Sequence, residues 1–222
     1  MPSEGPPPLP DRCGPWRLTV SFGTLSGVEG SRFAQAVAAI DAANASDPNT
    51  IEVAGRRRPK ELAHAELVSG WVARLRPEAS EPLLLAARAH HVRRWQSPRS
   101  SYPDGRSGYL RWRRDLGRRQ ADDVGRILAD VGYPPETVER VQAIVRKQHL
   151  DDDPEVQTLE DAMCLVFLET QFDDLAARLD QDHMVEVLRK TMRKMSDAAL
   201  AQVPSLPLSE TGLALIEAAG RP

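Results

Sequence analysis

A chain of 222 residues, with 41% hydrophobic and 27% charged residues, has the make-up of one ordinary globular domain, which excludes wholesale disorder and a collagen-like or coiled-coil rod. No run of about 18 apolar residues occurs, so no membrane-spanning segment is expected. The net charge of -3 gives no global attraction to nucleic acid or anionic lipid. With aromatics at 5%, the core must be built from Leu, Val, Ala and Ile, and two cysteines, Cys13 and Cys164, make neither a disulfide framework nor a cysteine zinc site.

Residues 1–30 are rich in Pro, Gly and Ser and read as a flexible tail. Within it only Leu18 to Phe22 alternates like a short strand. No basic stretch followed by an apolar stretch of signal-peptide length is present, and a cytoplasmic protein is expected. From Ser31 onward the pattern is helical. Ser31 caps a first helix with Phe33, Val37 and Ile40 on its apolar face, ending near Asn44, and Asp47-Pro48-Asn49 supplies turn chemistry. A second helix starts at Pro59 and carries His64, Val68, Trp71 and Leu75 on one stripe. The third, from Ser80 and Pro82, is apolar nearly all round through Leu83-Leu84-Leu85-Ala86-Ala87 and ends in His90-His91, as a central helix would. Pro98 and Pro103 bound an irregular loop.

A long fourth helix runs from about Gly108 to Gly132, with Trp112, Leu116, Gln120, Val124 and Ile127 on one face. Pro134-Pro135 opens a fifth with Val138, Val141 and Val145 inward. A sixth, from about Pro154, places Asp161, Leu165, Leu168, Phe172 and Leu175 on a common stripe, and a seventh covers about 183–195. The expected architecture is all-α: one bundle of about six to eight helices over residues 31–200, followed by a segment with a short helix at 201–222.

Polar groups on apolar faces carry the functional signal, because burial without partners is costly. His64, His90, His91, Gln120 and Asp161 all fall there, and three of the five histidines are among them. One such histidine is more often a hydrogen-bonded core residue, and an Asp on a helix often pairs with Arg. Three histidines and an aspartate from three helices facing one core nevertheless make an N/O ligand set suited to a divalent transition metal such as manganese, iron or zinc. Nine arginines lie between Arg93 and Arg119. Of these, Arg111, Arg114 and Arg118 read as a solvated helix face. Arg94, Arg99 and Lys60, with Tyr102 and Gln120, are the candidate substrate-binding residues for an anion, since guanidinium forks grip phosphate. Glu66 and Glu160 are the candidate general bases.

Two resemblances follow from these motifs. Leu83 to Trp95, with its apolar helix ending in a histidine doublet, Leu159-Glu160-Asp161-Ala162, and His64 in His64-Ala65-Glu66-Leu67-Val68 resemble, in order and separation, the metal-dependent phosphohydrolases of the HD-domain superfamily. The Asp of that superfamily's His-Asp doublet is His91 here. A neutral ligand in its place favours softer transition metals over magnesium and puts a carboxylate-bridged pair of metals in doubt.

The closer similarity is to the DUF4202 family, over residues 32 to 196. It is carried by Arg32-Phe33-Ala34, Asp47-Pro48-Asn49-Thr50, Arg58-Pro59-Lys60-Glu61-Leu62, Pro98-Arg99-Ser100-Ser101-Tyr102-Pro103, Gly108-Tyr109-Leu110-Arg111-Trp112-Arg113 and Asp153-Pro154-Glu155-Val156-Gln157-Thr158-Leu159-Glu160-Asp161. Where that family's pattern has Tyr, Gln-His and His, this chain has His64, His90-His91 and Gln120. The family name implies no activity.

The expected function is a metal-dependent hydrolase of a phosphorylated small molecule, a nucleotide in the first instance. Its metal would be held by His64, His90, His91 and Asp161. Two alternatives stand beside it: an iron oxygenase or oxidase on the same scaffold, and a metal-free helical module binding an anionic metabolite. The negative net charge and scattered acids argue against a nucleic-acid partner.

Overall fold

The computed structural model describes residues 31–53 and 55–220. The 1–30 tail and the Leu18–Phe22 strand lie outside these residues. The described chain forms ten α-helices and one small hairpin, an all-α fold: α1 (Arg32–Ala45), β1 (Thr50–Val53), β2 (Arg56–Pro59), α2 (Lys60–Leu75), α3 (Glu81–Ala89), α4 (Gly105–Asp130), α5 (Pro135–Val145), α6 (Pro154–Thr170), α7 (Phe172–Ala176), α8 (Gln181–Met192), α9 (Asp197–Leu200) and α10 (Glu210–Ala219). Two single 3-10 turns, Arg94–Gln96 and Arg99–Ser101, lie in the loop between α3 and α4.

Helix starts follow their capping residues. Ser31, Ser80, Asp180, Ser196 and Ser209 each accept a bond from a first-turn backbone N–H. The long helix α4 ends at Gly132, whose φ of 87° lets its N–H bond the Ala129 carbonyl while Tyr133 N–H bonds Leu128. That is the left-handed C-terminal motif in which glycine is the usual residue. Near the start of α4, a Cβ on Gly108 would sit 1.9 Å from the Pro103 carbonyl oxygen, so only glycine lets the preceding loop lie against the helix.

Helix α3 is the centre of the bundle. Leu83, Leu85, Ala86, Ala87 and Ala89 are all buried, and the helix packs on α1, α2, α5 and α6. Its small residues let the neighbours approach closely, while Ile40, Val68, Leu128, Ile144, Leu159 and Leu165 fill the space around it. Polar ties hold the layers in register. The Trp71 indole N–H donates to Glu169 at 2.8 Å, joining α2 to α6, and Arg88 forks onto Asp41 at 2.5 and 2.6 Å, joining α3 to α1.

Two features depart from the helical reading. The β1–β2 hairpin, paired antiparallel with Thr50 opposite Pro59 and Val53 opposite Arg56, occupies a stretch read only as turn and helix start. Its second strand is Arg56-Arg57-Arg58-Pro59, which has no β-forming residue, so pairing rather than propensity makes it a strand. The stripe from Asp161 to Leu175 is interrupted at Gln171, and Phe172 begins a separate short helix.

At the start of α6, Asp153 accepts from the N–H groups of Glu155 and Val156 and is forked by Arg140 of α5, which also reaches Glu155 at 2.6 Å. The Arg140 guanidinium, and then those backbone donors, hold the Asp153 carboxyl down to about 2. A depressed folded-state value stabilises the fold above the unfolded value of about 4, and that contribution disappears as pH falls from about 4 through 2. Partial solvent screening reduces it to about 1–2 kcal/mol. In denaturant titrations, Asp153→Asn is therefore expected to be less stable than wild type at pH 6, with the gap closing as pH approaches 2. A gap independent of pH would show that the carboxylate charge contributes nothing.

Candidate metal centre

The site begins at the turn before α2. Asp47 Oδ1 accepts from the Asn49 backbone N–H and side-chain amide, both at 2.9 Å, and its Oδ2 accepts from the Glu61 N–H at 3.0 Å. A buried carboxylate thus serves from a distance as the cap that Pro59 has no side-chain hydrogen bond to supply, favourably placed at the positive end of the helix. In the first turn of α2 so fixed, Glu61 and His64 are three residues apart and share one face. Both are buried, at 4% and 3% exposure.

His91, just past the C-terminus of α3, completes the group. Its Nδ1 lies 3.1 Å from Glu61 Oε2, and His64 Nδ1 lies 3.8 Å from the same oxygen. One donor atom from each of Glu61, His64 and His91 falls within 4.8 Å of the other two. Burial holds the pKa of His64 below the ordinary imidazole range, and those of His90 and His91 well below it. The rings are thus neutral at pH 7, the protonation state a metal requires. His64 Nε2 is buried with no hydrogen-bond partner among the described residues. Neutral imidazoles, a carboxylate and an unsatisfied ring nitrogen fit a divalent transition metal, and this cluster can hold one.

Of the four ligands expected from sequence, the structure brings His64 and His91 together. His90 packs against His91 with ring centroids 4.2 Å apart and the planes tilted by 37°, but its Nδ1 donates to the Ala87 carbonyl at 2.9 Å, and it is not in the ligand group. Asp161 is likewise not in it. Its Oδ1 accepts from Gln157 Nε2 and Ser196 N–H, both at 2.8 Å, and its Oδ2 from the Ser196 hydroxyl at 2.6 Å. An aspartate on an apolar stripe is here the anchor of the α9 cap, and Glu61 supplies the carboxylate instead.

The expected general bases are engaged elsewhere. Glu66 is forked by Arg58 on the hairpin side of α2, with Arg88 at 3.7 Å. Glu160 is buried against Lys147, with Lys194 at 3.7 Å. The substrate-binding set divides similarly. Arg94 lies beside the cluster, with Nε 3.9 Å from Glu61 Oε1, a guanidinium nitrogen 3.5 Å from His91 Nε2, and the guanidinium 5.0 Å from the centroid of the Trp112 ring. Gln120 is buried and lines a cavity of about 70 Å³ together with His90, His91 and Arg94. Arg99 donates to the carbonyls of Tyr102 and Pro103 at 2.9 and 2.8 Å, stitching its own loop. Lys60 and Tyr102 do not line that cavity.

Sequence reasoning does not find Glu61, Arg146 or Lys147, and counts Arg113 only among the nine arginines of 93–119. Arg113, Arg146 and Lys147 complete the cationic wall of the cavity. The Glu61 signal was present as a carboxylate three residues before His64. Lys147 gave none.

The fold and this cluster together define an all-α protein with a Glu-His-His centre, buried at Glu61 and His64 and half-buried at His91, that could hold a metal ion. The model of the family described as a domain of unknown function (DUF4202) matches residues 34–216, and the chain belongs to that family. No curated protein and no solved structure matches it.

Proposed function

We propose that the protein is a metal-dependent hydrolase of a phosphorylated small molecule. The observation that supports this reading best is the adjacency of two features through His91, which belongs to the Glu61-His64-His91 group and also lines the cavity walled by Arg94, Arg113, Arg146 and Lys147. Manganese, iron or zinc suits two imidazoles and one carboxylate, and three protein ligands leave positions open for water or substrate. Once bound, such a metal lowers the pKa of its water toward neutrality and acts as a Lewis acid. The chain's own groups do the rest: Glu61, His64 and His91 hold the ion, and Arg94, Arg113 and Lys147 neutralise phosphoryl oxygens. Burial of Glu61 and His64 excludes bulk solvent from that end of the site.

The same donor set supports a second reading, an iron oxygenase or oxidase, because two histidines and one carboxylate are the usual ligands of non-haem iron enzymes. The cationic cavity favours the hydrolase. Protein stripped with chelator and reloaded separately with manganese, iron and zinc, then assayed on para-nitrophenyl phosphate and nucleoside monophosphates, is expected to release phosphate only when loaded. Oxygen consumption by the iron form without phosphate release would replace the hydrolase with the oxygenase. Loss of neither activity on stripping would remove both.

A further inference from the structure

We infer that the cavity beside the metal centre is a preformed pocket for one terminal phosphoryl group, so that the substrates are phosphomonoesters whose organic part stays outside. At about 70 Å³ the space is far below the roughly 300–1,000 Å³ that encloses a drug-sized ligand, and it cannot take a nucleoside. Its wall carries Arg94, Arg113, Arg146 and Lys147. Two of these cations have a carboxylate behind them, Glu61 at 3.9 Å from Arg94 and Glu160 on Lys147, while Arg113 and Arg146 have no ion-pair partner among the described residues. The wall thus carries a surplus of positive charge, the sign that binds a phosphomonoester dianion.

Two further observations point to a ligand. Gln120 lines the cavity at 4% exposure, and its amide Nε2 is buried with no partner among the described residues, a donor left unused. Lys147 is the residue just beyond the C-cap of α5, with φ 55°, its N–H on the Ile144 carbonyl and Gln148 N–H on Ala143. This is the hydrogen-bond pattern that ends α4, where the corresponding residue is Gly132. A lysine in this conformation is strained relative to glycine. Its side chain reaches the cavity wall, and Glu160 of α6 fixes it there. Burial lowers the Lys147 pKa, with the Glu160 charge opposing that shift.

The inference takes its catalytic meaning from the hydrolase reading, but anion binding is measured without turnover. Calorimetric titration of the full chain with inorganic phosphate, metal-loaded and metal-stripped, is expected to give saturable binding that methyl phosphate competes for and dimethyl phosphate does not. Lys147→Met and Gln120→Leu should each weaken phosphate binding at least tenfold, whereas Arg111→Ala, on the exposed face of α4, should leave it within twofold. The double variant Lys147→Gly with Glu160→Gln removes both the strained residue and the orphaned carboxylate. It is expected to fold and to lose phosphate binding. Absence of phosphate binding in wild type, or undiminished binding in Lys147→Met, would overturn the pocket. Metal-dependent turnover without phosphate binding would leave the hydrolase reading standing, and phosphate binding without metal uptake would do the reverse.

Discussion

Replacing Glu61 with Gln is expected to lower bound metal from about one ion per chain to near zero and hydrolytic turnover about 1,000-fold, with little change in the unfolding temperature. The amide keeps the shape and volume of the carboxylate but not its charge. Glu61 is the sole carboxylate in the group with His64 and His91, and the two neutral imidazoles alone make a far weaker site for a hard or borderline cation. Stability should survive because the Gln amide oxygen can still accept from His91 Nδ1, and the backbone N–H of residue 61 stays held by Asp47. Elemental mass spectrometry and thermal unfolding of the same preparation check both halves. Full metal content in Glu61→Gln would remove this residue from the centre.

Asp161→Ala is expected to do the opposite: destabilise by about 3 kcal/mol and leave metal content unchanged. Asp161 is buried, and both its oxygens are occupied by three donors, two of them from Ser196. Hydrogen bonds to a charged acceptor contribute roughly 1.5–3 kcal/mol each, less than additively, and their loss strands the Ser196 N–H. Ser196 itself caps α9 by accepting from Ala199 N–H at 3.3 Å, so the damage spreads to the segment that closes over α6. For a domain of this size a fall of about 6–12 °C in unfolding temperature corresponds to that energy. Metal lost together with stability, but retained in Ser196→Ala, would return Asp161 to the site.

The contrast between these two residues shows what the sequence pattern reports. Hydrophobic stripes at helical spacing located α1 to α6, because burial of one face sets the period, and they identified His64 and Gln120 as buried polar groups. They say only that a polar group is buried, not which partner satisfies it. Asp161 and His64 therefore looked alike until Ser196, 35 residues downstream of Asp161, was seen to occupy the carboxylate. Glu61 escaped notice because, on the first turn of a helix, acids are common for the sake of the dipole. Its three-residue spacing to His64 was the available clue. Lys147 was invisible because its role depends on a left-handed backbone angle at the end of α5, a position where lysine has no preference. The hairpin of Thr50–Val53 and Arg56–Pro59 is hard to read because only its first strand, Thr50-Ile51-Glu52-Val53, has β-forming residues, while its partner Arg56-Arg57-Arg58-Pro59 has none. Arg111, Arg114 and Arg118 are exposed, as their helix positions indicate, whereas Arg94, in the 3-10 turn after α3, and Arg113 of α4 line the cavity.

The most direct test of the central claim is anomalous diffraction at the manganese or zinc edge from crystals of the untagged, metal-soaked protein. The account requires a peak between the side chains of Glu61, His64 and His91, lost in crystals of His64→Ala. Absence of a peak there, or a peak on Asp161 or Glu160 instead, would contradict it.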